Sequence, residues 1–223
     1  MFKKITSVLF LLPFFCAASG GIGLSATRVI FPASSEQKSI SVNNQFGNKR
    51  YLITSWVEDS SGRRVKDFIV TPPLFVSEPK TESSLQIYRN TSNLPKDRES
   101  LFWLNIKSIP AVSKDEIENK NSLQLAILTK EKIIYRPDSL QDGIESATSK
   151  ITFSRVNENL VIKNNGPYYI SMVNISLEDK KLKSEILPPF GQVLIKLKRV
   201  SGKFSYQTVN DYGSLTPIST ITY

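Results

Sequence analysis

Hydrophobic and polar residues alternate along most of the chain, which is the pattern of half-buried β-strands. The alternating segments are rich in β-branched and aromatic residues, and turns with proline, glycine or asparagine separate them. In the first part of the chain the predicted strands are residues 39–44, 50–59, 84–90, 101–109 and 123–128. No window of useful length keeps its apolar residues at helical spacing, and the best short candidate, residues 114–122, reads better as a polar loop. The pattern therefore predicts an all-β protein.

The composition changes after the fifth predicted strand. Residues 137–149 are polar with a single glycine, which is typical of a linker. Beyond it the predicted strands are residues 150–156, 159–164, 168–177, 192–198 and 204–210. Short strands at regular spacing indicate β-sandwiches. We therefore expect two β-sandwich domains that are joined near residue 140.

The first residues have the composition of a secretory signal peptide. Two lysines precede an apolar run at residues 8–15, and small residues follow it. The apolar run is shorter than the roughly 20 residues that a membrane span needs. We therefore expect residues 1–20 to be removed on export. That leaves one domain at 21–140 and a second at 141–223, in a soluble protein that is not membrane-embedded.

Export changes what the composition implies. Without residues 1–20 the chain keeps 27 basic and 20 acidic residues, a formal charge of +7 against +9 for the whole chain, and it has no cysteine. Each domain must then be stabilised by its core alone, without disulfides. A basic protein can bind nucleic acid, but export and the absence of any run of five basic residues argue against that partner.

The chain lacks the residues of common catalytic sites. It has no histidine, so catalytic triads and the usual zinc and copper ligands are missing. No glycine-rich phosphate loop is present. Two acidic pairs, Glu58-Asp59 and Glu178-Asp179, could in principle act in glycoside hydrolysis, but adjacent carboxylates at a hairpin are usually solvated. We expect no enzyme activity, no cofactor, no metal and no small-molecule substrate.

The predicted strand at 123–128 is unusual because both of its faces are largely apolar. One face carries Leu123, Leu125 and Ile127, and the other carries Gln124, Ala126 and Leu128. The second face can pack into the sandwich, whereas the first is a row of large aliphatic residues that needs a cover of its own. Either this is an edge strand that pairs with a partner's strand, or both faces are buried within the domain.

Several motifs resemble one known family in their order and spacing. They are ATRVIFPAS (26–34), TPPLFVSEP (71–79), LPKDRESLFWLNIKSIP (94–110), LQLAILTKEKIIYRP (123–137), NNGPYYISM (164–172), PPFGQ (188–192) and VNDYG (209–213). Together they resemble the periplasmic pilus-assembly chaperones, the PapD-like family, over essentially the whole exported chain. The resemblance implies two immunoglobulin-like domains in an L-shaped arrangement. It also implies a chaperone that lends an edge strand to pilus subunits and later meets an outer-membrane usher.

The resemblance also implies roles for individual residues. Arg28 and Lys132 match the basic residues that anchor the subunit's C-terminal carboxylate, and Leu123, Leu125 and Ile127 match the apolar residues of the donor strand. Glu99, Arg136 and Asp211 match an interdomain ion network that is structural.

Two questions stay open at the level of sequence. Lys130 and Lys132 share one side of an ideal strand, so alternation does not choose between them, and Lys132 is preferred only because it directly precedes IIYRP. Lys132 lies on the opposite face from the donor residues unless a bulge intervenes. The competing class is a secreted structural or adhesive immunoglobulin-like module. A pilus subunit of that class would normally have one domain and an N-terminal donor extension, which this chain lacks.

Overall fold

The computed structural model describes residues 21–45, 48–91, 93–112, 124–178, 180–197 and 202–222. The predicted signal peptide, the loop at 114–122 and the donor residue Leu123 lie outside the described residues. Within them the chain forms two β-sandwiches, as the pattern of short strands predicts. No described helix is long and apolar enough to cross a membrane.

Among the described residues, the first sandwich has nine strands in two sheets. Its strands are β1 Ile22–Leu24, β2 Arg28–Pro32, β3 Gln37–Asn44, β4 Tyr51–Asp59, β5 Phe68–Thr71, β6 Leu74–Ser77, β7 Glu82–Arg89, β8 Ser100–Pro110 and β9 Ile127–Arg136. One sheet has the order β1-β3-β7-β5, and the other has the order β2-β9-β8-β4-β6. Every pairing is antiparallel except that of β2 with β9, which is parallel.

Aromatic rings join the two sheets of the first sandwich. The rings of Phe31 and Phe68 contact edge to face at 5.0 Å, and those of Phe68 and Phe102 at 4.9 Å. These side chains belong to β2, β5 and β8, so the contacts cross the space between the sheets. Alternation along each strand sends such residues inward and their neighbours outward, and aromatic pairs in this geometry are favourable.

The second sandwich is built from shorter strands. They are β10 Ile151–Val156, β11 Asn159–Asn164, β12 Ile170–Leu177, β13 Lys180–Lys181, β14 Glu185–Leu187, β15 Gln192–Lys196, β16 Lys203–Val209 and β17 Ser219–Thr222. One sheet has the order β10-β11-β15, and the other has the order β13-β12-β16-β17 with β14 also paired to β12. Its separate core includes Phe204 and Tyr206, and the partly buried ring of Phe153 packs against both at tilted angles.

The predicted linker is a compact connection with two short 3-10 helices, Asp138–Leu140 and Ile144–Lys150. Ala147 of the second helix is buried in the core of the second sandwich. The hydroxyl of Tyr168 donates a 2.8 Å hydrogen bond to the carbonyl of Leu140. The connection is therefore packed against the second domain.

The predicted strand at 123–128 is displaced in the structure. β9 begins at Ile127 and runs to Arg136, so residues 124–126 precede it. Lys130 and Lys132 lie inside the strand. The alternating residues that the structure describes before Ile127 are therefore not part of a strand. Seven strands were not predicted, because they have only two to five residues and offer too little pattern: β1, β2, β5, β6, β13, β14 and β17.

Candidate functional site

One edge of β9 is paired along only part of its length. β8 pairs with β9 from Ile127 to Tyr135, whereas β2 covers the opposite edge only from Lys132 to Arg136. Within the described residues no strand pairs with that opposite edge at 127–131, and we call this stretch the open edge. Its unpaired backbone amides and carbonyls can take another strand.

Large apolar side chains are exposed at and just before the open edge. Leu125 is 68% exposed, Ile127 56% and Leu128 47%. Monomeric proteins seldom leave several large aliphatic residues exposed in one place without a binding role. Of the two interpretations open at the level of sequence, burial of both faces within the domain is wrong for the described residues.

The faces of β9 are the reverse of what the sequence suggested. We expected the face of Leu128 to pack into the sandwich. Instead, the face that carries Ile127 continues into the core at Ile133 and Tyr135, whereas the face of Leu128 points away from it. Ile127 therefore lies on the core face of β9 but remains exposed.

A row of four side chains crosses the outer face of the sheet. In the register of the strands, Arg28 of β2 is opposite Lys132 of β9, Lys132 is opposite Trp103 of β8, and Trp103 is opposite Glu58 of β4. Arg28 and Lys132 lie where the open edge ends and β2 begins. We call these two residues the cation pair.

Arg28 is held by the second domain. Its Nη1 donates a 3.1 Å hydrogen bond to the backbone carbonyl of Val209 at the end of β16. Its Nε is buried without a hydrogen-bond partner. Burial lowers the pKa of Arg28, and the nearby carboxylates of Asp211, Glu131 and Glu99 oppose this only in part. A guanidinium in this position still has unused hydrogen-bond donors.

Lys132 is the second half-buried cation of the pair. Its Nζ lies 5.4 Å from the centre of the Trp103 ring, and it forms no salt bridge within the described residues. Burial lowers the pKa of Lys132, and the positive charge of Arg28 lowers it further. Two adjacent cations without a salt bridge, both partly removed from water, form a site for an anion.

The structure distinguishes Lys130 from Lys132. The Nζ of Lys130 donates a 2.8 Å hydrogen bond to Glu58 Oε2, so this ammonium already has a carboxylate partner. The pairing of β8 with β9 shows no register shift, so no bulge changes the alternation. Lys132 therefore lies on the face opposite to Ile127, beside Arg28.

Glu99, Arg136 and Asp211 are brought together between the two domains. Arg136 Nε donates to Glu99 Oε1 at 2.7 Å, while its Nη1 and Nη2 donate to the two carboxylate oxygens of Asp211 at 2.6 and 2.9 Å. Glu99 Oε2 also accepts a 2.6 Å hydrogen bond from the backbone N–H of Tyr169. Glu99 and Arg136 belong to the first domain and Asp211 and Tyr169 to the second, so this interdomain ion network spans both.

The network shifts the pKa values of its members. Burial alone would lower the pKa of Arg136, but the carboxylates of Asp211 and Glu99 outweigh it and raise that pKa. Burial raises the pKa of Glu99, and the nearby guanidinium of Arg136 opposes this. Glu99 is 2% exposed, so it depends on Arg136 and the Tyr169 amide to remain charged.

Several neighbours of the cation pair were not predicted from sequence. Trp103 contacts Lys132, Glu58 pairs with Lys130, and Val209 contributes its backbone carbonyl to Arg28. A backbone carbonyl carries no sequence signal, and the positions of Glu58 and Trp103 depend on strand register. No group of three or more potential metal ligands occurs among the residues that the structure describes.

Comparisons with known proteins identify the family. Residues 21–141 match the N-terminal domain of the PapD pili and flagellar-assembly chaperones, and residues 146–220 match the C-terminal domain of the PapD pili-assembly chaperones. The probable fimbrial chaperone SfmC of Escherichia coli K12 is 45% identical over 202 residues, which cover 90% of this chain and 88% of SfmC. The chaperone protein FimC of the same strain is 43% identical over 202 residues, which cover 90% of this chain and 83% of FimC.

Solved structures show the same two-domain fold. The crystal structure of the periplasmic chaperone SfaE superposes with a TM-score of 0.79 at 37% identity, covering 91% of this chain and all of that one. A structure of the Salmonella enterica SafA pilin in complex with the SafB chaperone gives a TM-score of 0.80 at 27% identity. The match covers 91% of this chain and 96% of the chain in that structure. The chain belongs to the PapD family of periplasmic pilus-assembly chaperones, has two immunoglobulin-like domains and is a fimbrial chaperone rather than an enzyme.

Proposed function

We propose that this chaperone folds and caps its pilus subunit by lending the open edge of β9 while the cation pair anchors the subunit's C-terminal carboxylate. The observation that carries the proposal is that the open edge ends at Arg28 and Lys132, which form no salt bridge within the described residues. An exposed edge supplies backbone hydrogen bonds to any strand, and a chain-terminal carboxylate accepts charge-assisted hydrogen bonds from both cations.

The position of the anchor fixes the direction of the bound strand. A subunit strand along residues 127–131 with its carboxylate at Lys132 must run parallel to β9. It then lies in line with β2, which pairs with β9 in the same direction from Arg28 onward. The subunit strand ends where β2 begins, so the two together cover the whole edge of β9. Fixing one end of the strand also fixes its register.

The apolar residues supply the second part of the interaction. Ile127 lies on the face of β9 that enters the chaperone's own core at Ile133, and Leu125 precedes the strand with the same alternation. A subunit that binds there would place these side chains in its own open groove, so the two cores would be continuous along β9. Leu123 has the same alternation and is proposed as the third donor residue. Burial of each large aliphatic side chain contributes about 1.5–3 kcal/mol.

Both domains contribute to the anchor. The carbonyl of Val209 in the second domain fixes one Nη of Arg28, and the interdomain ion network holds the neighbouring Asp211. We propose that this network sets the position of the second domain relative to the cation pair. By the family resemblance, the partner that takes over the loaded complex is an outer-membrane usher.

Native mass spectrometry of the protein purified from its own host's periplasm tests the proposal. We expect a one-to-one complex with a small secreted subunit under conditions in which the host makes pili. The competing class, a secreted structural or adhesive module, predicts the bare protein instead. Recovery of the wild-type protein without any subunit under those conditions would rule out the proposed function.

Replacing Leu125 with glutamate should abolish recovery of the subunit. The exposed side chain leaves the chaperone's own fold intact, but a subunit groove would have to bury an unpaired carboxylate. The matched control is Leu194→Glu, which adds the same charge at a leucine of the second domain that is 55% exposed. The recovered complex is quantified by native mass spectrometry for both variants. Normal recovery with Leu125→Glu would contradict the donor assignment.

Subunit binding should weaken at alkaline pH. The pKa of Lys132 lies below its ordinary value of 10.5 in the free protein because of burial and Arg28. A bound carboxylate favours the charged ammonium, so binding raises this pKa and is lost as pH rises through the free-state value. Titration calorimetry from neutral to alkaline pH measures the effect. Lys132→Arg should remove this pH dependence, because arginine stays protonated.

A further inference from the structure

The cation pair stands in a row with a carboxylate that could neutralise it. Glu58, Trp103, Lys132 and Arg28 are opposite one another on four adjacent strands. The Nζ of Lys132 lies over the ring of Trp103, which separates it from Glu58. Glu58 is a partly buried carboxylate on the same face as Lys132, whereas Glu131, whose charge acts on both Lys132 and Arg28, belongs to the opposite face of β9.

Both carboxylate oxygens of Glu58 are already occupied. The Nε1 of Trp56 donates to Oε1 at 2.7 Å, and the Nζ of Lys130 donates to Oε2 at 2.8 Å. Hydrogen bonding to Lys130, followed by that to Trp56, lowers the pKa of Glu58, so the carboxylate stays charged. A charged group with 13% side-chain exposure needs such a partner.

Register shows that Lys132 could take the place of Lys130. Lys130 is opposite Asn105, which is opposite Trp56, so it reaches Glu58 diagonally across β8. Lys132 belongs to the same row as Glu58 and has the shorter path across the two strand spacings, about 10 Å in all. A lysine side chain that spans the diagonal is long enough for this path, along which the ammonium of Lys132 already lies over the Trp103 ring. Glu58 without Lys130 would therefore attract Lys132 away from Arg28.

We propose that Lys130 is a positioning residue which holds Glu58 so that the ammonium of Lys132 stays available for the subunit's carboxylate. Lys130 acts through Glu58 and does not itself contact the subunit. This inference rests on the proposed function, because it assumes that Lys132 binds a chain-terminal carboxylate. It explains why two lysines on the same face of one strand have different partners.

The test compares two synthetic peptides that differ only at the C-terminus. Each is a short peptide in which valine alternates with threonine, one with a free carboxylate and one amidated. Binding to the wild-type protein and to Lys130→Ala, Glu58→Gln and the double variant is measured by calorimetry. Lys163→Ala, which removes an exposed lysine from the second domain, is the control for the loss of charge.

We expect Lys130→Ala to bind the carboxylate peptide about tenfold more weakly, a loss of about 1.4 kcal/mol. It should bind the amidated peptide as the wild-type protein does, which a general disturbance of the fold would not allow. Adding Glu58→Gln should restore the lost affinity, because the competing charge is then absent. Glu58→Gln alone and Lys163→Ala should both retain wild-type affinity.

Two results would overturn this inference but leave the proposed carboxylate anchor standing. One is unchanged affinity of Lys130→Ala for the carboxylate peptide, and the other is a loss that Glu58→Gln does not restore, which would mean that Lys130 contacts the ligand. If the wild-type protein did not distinguish the two peptides, the carboxylate anchor would fail and this inference with it. Comparison of the peptides on the wild-type protein therefore separates the two failures.

Discussion

Replacing Arg28 with alanine is expected to abolish recovery of the subunit while the chaperone stays folded. Removing one member of a buried, hydrogen-bonded charge pair costs about 2–5 kcal/mol, or roughly 30- to 4,000-fold in affinity. The bound carboxylate would lose its guanidinium donors and rely on Lys132 alone. Lys132→Ala should have an effect of the same kind. Recovery of the complex from the host's periplasm, measured by native mass spectrometry, gives the result directly.

The controls for Arg28→Ala separate binding from folding. Arg28 donates one hydrogen bond to Val209, so its loss also removes a contact between the domains. The interdomain ion network remains, and we expect circular dichroism and the unfolding midpoint to change little. Arg155→Ala, which removes an exposed arginine from the second domain, should recover the subunit normally. Normal recovery from both Arg28→Ala and Lys132→Ala would refute the carboxylate anchor.

Replacing Arg136 with alanine is expected to cause the largest loss of stability, about 3–5 kcal/mol in the free energy of unfolding. Arg136 pairs with Glu99 inside the first domain and with Asp211 of the second. Without it Glu99 is a buried carboxylate whose remaining described partner is the N–H of Tyr169. An uncompensated buried charge is costly, and the variant must either protonate Glu99 or open the interface between the domains.

The loss in Arg136→Ala should depend on pH. Burial already raises the pKa of Glu99, and removal of the guanidinium removes the main influence that opposes this rise. The folded state then binds more protons than the unfolded state, so stability falls as pH rises above about 4.3, the ordinary value for glutamate. Urea unfolding near pH 5 and near pH 8 should show the larger deficit at the higher pH.

A second substitution checks the cause of the destabilisation. Adding Glu99→Gln to Arg136→Ala removes the buried charge but keeps an acceptor for the Tyr169 amide, so it should recover part of the stability and abolish the pH dependence. A deficit of equal size at both pH values, unchanged by Glu99→Gln, would show that the buried charge is not the cause.

The proposed anchor and the open edge would contribute complementary parts of binding. Backbone pairing along β9 would accept many sequences, because every strand offers the same amides and carbonyls. A terminal carboxylate occurs once in a chain, so the proposed anchor would select one end of one segment and fix its register. The combination would let one chaperone accept several related subunits and still hold each in a single position.

Local pattern was enough to predict most of the strands and the class of fold. Ile40, Val42 and Leu85 are buried and alternate with polar neighbours, and the strands that carry them lie where the pattern predicts. The short strands β13 and β14 escaped prediction because two or three residues cannot show a period. The absence of histidine and of cysteine beyond the signal region also excluded most catalytic and metal chemistry without any structure.

The site depended on contacts that sequence alone does not encode. Alternation placed Lys130 and Lys132 on one face, but only the register with β8 and β4 shows that Lys130 meets Glu58 and that Lys132 meets Trp103 and Arg28. The face of β9 on which Ile127 lies could also be assigned only from the structure. Ile133 and Tyr135 on the same face of β9 are buried in the core, whereas Ile127 is exposed.

Sequence patterns were enough to predict an exported, all-β chain that lacks the residues of common catalytic sites and whose motifs resemble those of pilus chaperones. The open edge of β9, the lack of a salt bridge at Lys132 within the described residues and the joining of the domains by Arg136 became evident only in the folded chain. Strand patterns arise from neighbours along the chain, so they can be recognised locally. Arg28 and Val209 are 181 positions apart and Arg136 and Asp211 are 75 apart, so they meet through pairing and docking that no local pattern records.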